Sequence, residues 1–160
     1  MKILIVSDSH GKNTYLEHVL EKAGPIDLLI HLGDLEGSER FLRENVTCPV
    51  EMVSGNNDYF TDIDREKEIY IAHYKILLTH GHRYKVHYGT EFIKDWAREN
   101  KAAIVMFGHT HIPIIDQTSD IIAINPGSIS QPRQEGHRPS YIIMEVEKSG
   151  ELHFTINYLN

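Results

Sequence analysis

Apolar residues in the first third of the chain fall in short, unbroken runs. KILIV (2–6), DLLIHL (27–32) and VEMV (50–53) lack the alternation of a half-exposed strand, so each predicts a strand covered on both faces. Between the first two runs the period changes. Leu16, Val19, Leu20 and Ala23 recur at i, i+3, i+4 and i+7 within TYLEHVLEKAG (14–24), the apolar stripe of a helix. Thr14 and Glu17 fit a capping box there, and Gly24-Pro25 supplies a stop. SERFLREN (38–45) predicts a second, short helix with Ser38 at its N-cap.

Beyond residue 60 the pattern becomes strand-rich. EIYIAHYKILLTH (68–80) reads as two strands joined tightly around Ala72–Tyr74. GTEFIKDWAREN (89–100) reads as a helix capped by Thr90, with Phe92, Ile93, Trp96 and Ala97 on one side. AAIVMF (102–107) is a strand, and IPIID with DIIAIN (112–116 and 120–125) a hairpin. SYIIMEVEK and ELHFTINYL (140–148 and 151–159) meet at Ser149-Gly150, and in the last Leu152, Phe154, Ile156 and Tyr158 alternate with polar residues. A β-α-β-α-β opening implies a parallel sheet with helices packed on it. With the strand-rich second half, it predicts an α/β fold of two sheets packed face to face, helices outside, in a single domain over 1–160.

Composition narrows the setting. A chain of 160 residues buries about 70% of its unfolded surface as one domain. No apolar run reaches the ~20 residues of a membrane helix, and the run Ile3 to Val6 is shorter than the roughly 7 of a signal-peptide h-region. Cys48 is the only cysteine, which excludes an intrachain disulfide and fits a reducing cytoplasm. A net charge of −7 argues against a nucleic-acid groove, but not against a small phosphorylated ligand held by cations.

Six segments share one placement, a strand end followed at once by ligand-type residues. They are SDSHG (7–11), LGDLEG (32–37), SGNND (54–58), THGH (79–82), GHTH (108–111) and NPGS (125–128). In α/β sheets the crevice beyond the carboxyl ends of strands is where ligands bind. Asp8 and His10 stand two apart, which in an extended segment aims both at one cation. Alone, such a pair reads equally as loop surface or helix cap. Asp34 has two oxygens and can bridge two metal ions about 3.5–4 Å apart. Glu36 beside it offers another ligand, but reads more readily as solvent-facing or as a cap of the next helix. His109 and His111 repeat the two-apart spacing after Gly108, where backbone approaches a ligand closely. His80 ends a strand, with His82 just beyond. Imidazoles mixed with carboxylates suit Mn²⁺, Fe²⁺ or Zn²⁺.

In order, D-x-H … G-D … G-N-x-D … T-H-G-H … G-H-T-H resembles the calcineurin-like metallophosphoesterases, nearest their small bacterial and archaeal phosphodiesterase branch. The resemblance runs from Asp8 to Ser128. It implies a four-layer αββα sandwich of two mixed sheets flanked by helices. It implies two divalent metal ions, Mn²⁺ first, with Ni²⁺, Fe²⁺ or Zn²⁺ as other choices. One would be held by Asp8, His10, Asp34 and His111, the other by Asp34, Asn56, His80 and His109. Two carboxylates against two dications leave the site positive by about two charges. A bridging hydroxide at neutral pH would then attack phosphorus in line.

The chain departs from the pattern at Asn57. Many relatives carry a histidine there that protonates the leaving oxygen, and losing such an acid sacrifices ~10²–10⁴-fold in rate. Asp58, whose counterpart orients that histidine, loses its partner, and His82 or a metal-bound water is the candidate substitute. Ser128 and Arg133 are candidate contacts to the substrate phosphate, Arg133 through a bidentate fork. The leading expectation is a cytoplasmic metal-dependent phosphodiesterase for a small phosphodiester, with nucleic acid disfavoured and a homodimer compatible. The alternatives are a phosphomonoesterase or a non-catalytic scaffold of the same fold. A retromer subunit of that kind lacks part of the metal set, whereas this chain carries all of it.

Overall fold

The computed structural model describes residues 1–160. Strands β1 (Lys2–Val6), β2 (Leu28–His31) and β3 (Val50–Met52) alternate with helices α1 (Asn13–Ala23) and α2 (Ser38–Asn45). Then follow β4 (Glu66–Ile71), β5 (Tyr74–Thr79), α3 (Glu91–Glu99), β6 (Ile104–Met106), β7 (Pro113–Asp116), β8 (Ile122–Pro126), β9 (Ser140–Val146) and β10 (Leu152–Tyr158). Two short 3-10 turns, His82–Tyr84 and Val86–Tyr88, fill the gap between β5 and α3.

The strands form two five-stranded mixed sheets, ordered β10-β9-β1-β2-β3 and β4-β5-β6-β8-β7. In the first, β1 pairs in parallel with β2 and antiparallel with β9. In the second, β5, β6 and β8 run parallel, edged by antiparallel β4 and β7. The sandwich explains the unbroken apolar runs. Ile3 and Ile5 face inward to meet Ile76, Leu78, Ile104, Met106 and Ile124 of the other sheet. Their neighbours Leu4 and Val6 face outward, under Leu16, Val19 and Ala23 of α1 and Leu42 of α2. On the opposite side Ile93 and Ala97 of α3 cover Leu77, Val105 and Ala123. The order of layers is therefore helix, sheet, sheet, helix.

The expected caps are replaced. Helix α1 starts at Asn13 with Lys12 as its N-cap, two residues before the expected cap, and no side chain caps it, so the Thr14–Glu17 box does not form. Gly37, with φ at 98°, is the N-cap of α2, and Ser38 is fully buried inside the first turn. Thr90 does precede α3, but its hydroxyl turns to the Asp116 carboxylate, 2.5 Å away, instead of the helix N–H groups. The buried face of α3 is also rotated. Phe92 is 51% exposed, while Lys94 is fully buried with Nζ 2.7 Å from Asp116 Oδ2.

Candidate metal centre

The carboxyl ends of β1, β2, β5 and β6 point the same way, and the loops leaving them lie side by side. Asp8 N–H donates to Gly33 O, His10 N–H to Asp34 O and Gly11 N–H to Leu35 O, each at 3.0 Å. The first loop is thereby laced to the second. These segments are not extended, as the two-apart spacing suggested. Of eleven non-glycine residues with positive φ, six are Asp8, His10, Asp34, Glu36, His109 and His111. Left-handed backbone costs a non-glycine residue about 1–3 kcal/mol and gathers where function demands it. Two glycines give the carboxylates room. A Cβ on Gly108 would lie 2.8 Å from Asp8 Oδ2 and 2.0 Å from Ser7 Oγ, and one on Gly55 2.2 Å from Asp34 Oδ1.

Hydrogen bonds assign the histidine tautomers. His80 Nδ1–H donates to Leu32 O and His111 Nδ1–H to Gln131 O, both at 2.7 Å. His10 Nδ1 meets the Glu36 carboxylate. Each imidazole thus spends its proton on the outer side and turns a bare Nε2 lone pair inward, the arrangement a metal-binding histidine needs. His10 Nε2 faces His111 Nε2 at 3.3 Å, and His111 Nε2 faces Asp8 Oδ1 at 3.0 Å. His80 Nε2 lies 3.4 Å from Asp34 Oδ2 and 3.8 Å from Asp8 Oδ1. Asp8 Oδ1 and His80 Nε2 are buried without a hydrogen-bond partner. Acceptors turned upon acceptors repel unless a cation lies among them. One ligand atom from each of Asp8, His10, Asp34 and His111 falls within 4.8 Å of the others. The residues fit a divalent metal.

The electrostatics agree. Burial alone would raise the Asp34 carboxyl, but hydrogen bonding and attraction from His80, with two hydrogen bonds from Asn57, hold it well below the carboxylate range. Asp8 is likewise lowered: burial opposes this, and His111 and His80 outweigh it. Burial also opposes charge on His80, yet Asp34 and Asp8 raise its pKa, so without a cation this pocket draws a proton to the His80 Nε2, a positive charge that a bound metal ion would replace. Burial, then the charges of His80 and His87, push His109 down to about 4, which keeps it neutral.

A cavity of about 290 Å³ opens over this cluster, lined only by polar residues, among them His10, Asp34, Asn56, Asn57, His109 and Arg133. His109 sits with its ring 5.1 Å from that of His80, and Asn56 is exposed at the rim. Asn57 turns to Asp34, donating from its backbone to Oδ1 (2.9 Å) and from its amide to Oδ2 (2.8 Å). Asp58 does not face the cavity. Its two oxygens accept from Glu36 N–H and Gly55 N–H, both at 2.7 Å, which ties the second and third loops together. The His82 ring stands behind those of His80 and His109, 5.6 and 6.0 Å away. Ser128 is fully buried and donates to Asp8 O at 2.8 Å, so it braces the first loop and has no surface for a substrate. Arg133 is exposed on the cavity wall, as a phosphate contact requires.

Two supporting residues went unrecognised in the sequence. Glu36 is exposed, as the solvent-facing reading has it, but its carboxylate also orients His10; the clue was D-x-E in the second loop, with the spacing of D-x-H in the first. His31 accepts from Gly33 N–H and donates from Nε2 to Ser9 Oγ (2.9 Å), which donates in turn to Ser38 Oγ (3.1 Å). Burial pushes His31 down to about 4, so it stays neutral.

The model of the calcineurin-like phosphoesterase superfamily domain matches residues 1–149. The chain belongs to that superfamily. Among curated relatives it is 35% identical to "Probable metallophosphoesterase YsnB" of Bacillus subtilis, over 92% of this chain and 85% of that protein. It is 28% identical to "Phosphodiesterase YfcE" of Escherichia coli, over 91% and 88%. Among solved structures, a conserved protein of Streptococcus pneumoniae superposes with a TM-score of 0.80 at 30% identity, over 99% of this chain and 88% of that one. Vps29 of Entamoeba histolytica, in complex with Zn²⁺, shares the fold with a TM-score of 0.78 at 23% identity, each chain covered fully. The superfamily uses divalent metals, and the donor set just described is where this calcineurin-like chain can hold one. No helix is long and apolar enough to cross a membrane.

Proposed function

We propose that this chain is a metal-dependent phosphodiesterase that hydrolyses a small phosphodiester at two divalent cations, Mn²⁺ first among them. The carrying observation is the ring of imidazole Nε2 and carboxylate oxygen atoms turned on one another around Asp8, with buried atoms left unpartnered. Asp8, His10, Asp34 and His111 would hold one ion; Asp34, Asn56, His80 and His109 the other. Bound there, the ions would lower the pKa of water toward ~7 and neutralise charge on phosphoryl oxygens.

The chain's own residues set the rest. Glu36, Leu32 O and Gln131 O fix three imidazole planes, and Asn57 fixes the Asp34 carboxylate. Arg133 offers the cavity a guanidinium for an equatorial phosphoryl oxygen. Asn57 cannot serve as proton donor to the leaving oxygen, because it is a neutral amide engaged with Asp34, and His82 stands behind His80 and His109. The protein therefore favours esters of acidic alcohols. The complete donor set argues for turnover over a binding-only scaffold, and the name of the YfcE relative supports a diester.

The test is to strip the metal, add back Mn²⁺, Ni²⁺, Zn²⁺ or Mg²⁺ singly, and assay a chromogenic phosphodiester beside its monoester. Metal-restored turnover, faster on the diester, is expected. Turnover on neither ester with any ion would overturn the proposal. Asp34→Asn should abolish turnover, because it removes a carboxylate shared by both ions.

A further inference from the structure

A second cavity lies against the metal centre and is of the opposite character. It measures about 240 Å³ and is lined by Val86, His87, Phe107, Thr110, Ile112 and Ile114, with Gly89 and Thr90 at one end. The two cavities are joined through one short segment. His109 and His111 line the metal cavity, and Thr110 between them lines the second. The His87 ring, on the second cavity's wall, packs 4.7 Å from the ring of His109. The boundary is thus a pair of touching imidazoles.

Resting on the phosphodiesterase reading, we propose that this apolar cavity seats one unsaturated ring of the substrate, an aryl or nucleobase-like ester group, while its phosphate occupies the metal centre. Three observations support this. The metal cavity has no apolar wall, so an apolar ester group gains nothing by staying in it. The second cavity falls below the ~300 Å³ at which pockets for drug-sized ligands begin, so it fits one ring and not a whole nucleotide. Ile112 and Ile114 are 46% and 39% exposed at its mouth, directly after a metal-ligand residue, where apolar side chains are costly unless something covers them. An ester oxygen links ring and phosphate, so a ring bound to this phosphate lies within reach of the adjoining cavity and of nothing equally apolar.

Phenylphosphonate and methylphosphonate, which cannot be hydrolysed, test the assignment on the Zn²⁺-loaded protein by calorimetry and by methyl NMR of the isoleucines. Phenylphosphonate should bind about tenfold tighter, since a buried ring removes apolar surface at roughly 25 cal/mol per Å². It alone should shift the Ile112 and Ile114 methyl signals through its ring current. Ile112→Ser with Ile114→Ser should abolish the preference and leave methylphosphonate affinity unchanged. Equal binding of the two phosphonates, or a preference that survives both substitutions, overturns the ring site and leaves the phosphodiesterase reading intact. Failure of both to bind overturns that reading and the ring site with it.

Discussion

At the scale of single residues, the site is built by backbone conformation as much as by side-chain type. Asp8, His10, Asp34, Glu36, His109 and His111 share positive φ, which folds each two-apart pair around the centre. Glu36 acts through His10. Replacing it with Gln removes the charge that polarises the imidazole, and metal affinity should fall about 10–100-fold, the range for outer partners of metal ligands. A metal titration followed by calorimetry checks this, and unchanged affinity would remove Glu36 from the site. Gly55→Ala should be harsher. The new Cβ would sit 2.2 Å from Asp34 Oδ1, in a loop that cannot retreat without breaking the Asp58 tie. Metal binding should be lost while the far-ultraviolet circular dichroism stays native. The residues that gather at the cavity were legible because type and spacing recur in order along the chain. Their left-handed backbone was not, since only glycine announces positive φ in a sequence.

At the scale of elements, strands were easier to read than helix ends. Strands of a covered sheet carry their signal in every residue, whereas a cap hangs on one hydroxyl that tertiary structure can claim. Ser38 went to Ser9 and Thr90 to Asp116. The α3 face was misread for a related reason. A lysine counts as polar in any periodicity, yet Lys94 is fully buried because Asp116 of β7 meets its charge. Removing one partner of a buried pair costs about 3–5 kcal/mol. Asp116→Asn leaves the fully buried ammonium with only the exposed Glu91 carboxylate, 3.9 Å away, and should cost toward the lower end of that range in urea unfolding. Lys94→Met should cost less, because Asp116 keeps Thr90 and Thr118 as donors. The pH dependence has a definite sign. Burial would raise the Asp116 carboxyl, but Lys94, Thr118 and Thr90 hold it well below its ordinary value. Its contribution is therefore complete above the unfolded pKa of about 3.9 and lost as pH falls from there toward the folded value. The gap between wild type and Asp116→Asn should stay level from pH 7 to about 5 and close below about 4.

At the scale of the molecule, the metal centre is a joint between the two sheets. Asp8, His10 and Asp34 leave β1 and β2 of the first sheet; His80, His109 and His111 leave β5 and β6 of the second. Apart from the apolar interior, few side-chain bonds run between the sheets at this end, and Ser128 and Ser130 on Asp8 O are among them. A cation held from both sides would cross-link the sandwich and bind the folded chain but not the unfolded one. Mass action then gives about 2.7 kcal/mol of stabilisation at a hundredfold excess over Kd. For a domain of this size that is about 5–10 °C in Tm. Chelation should lower Tm by that amount, and the loss should reverse with added metal in a concentration-dependent way. The increment should grow as pH rises from 5 to 8, because imidazole ligands must shed their protons to bind. Asp34→Asn, which removes a carboxylate from the cluster, should flatten the dependence on metal. A Tm indifferent to chelator across that range would mean the sheets are not joined through these side chains, and the dinuclear reading would fall with the joint.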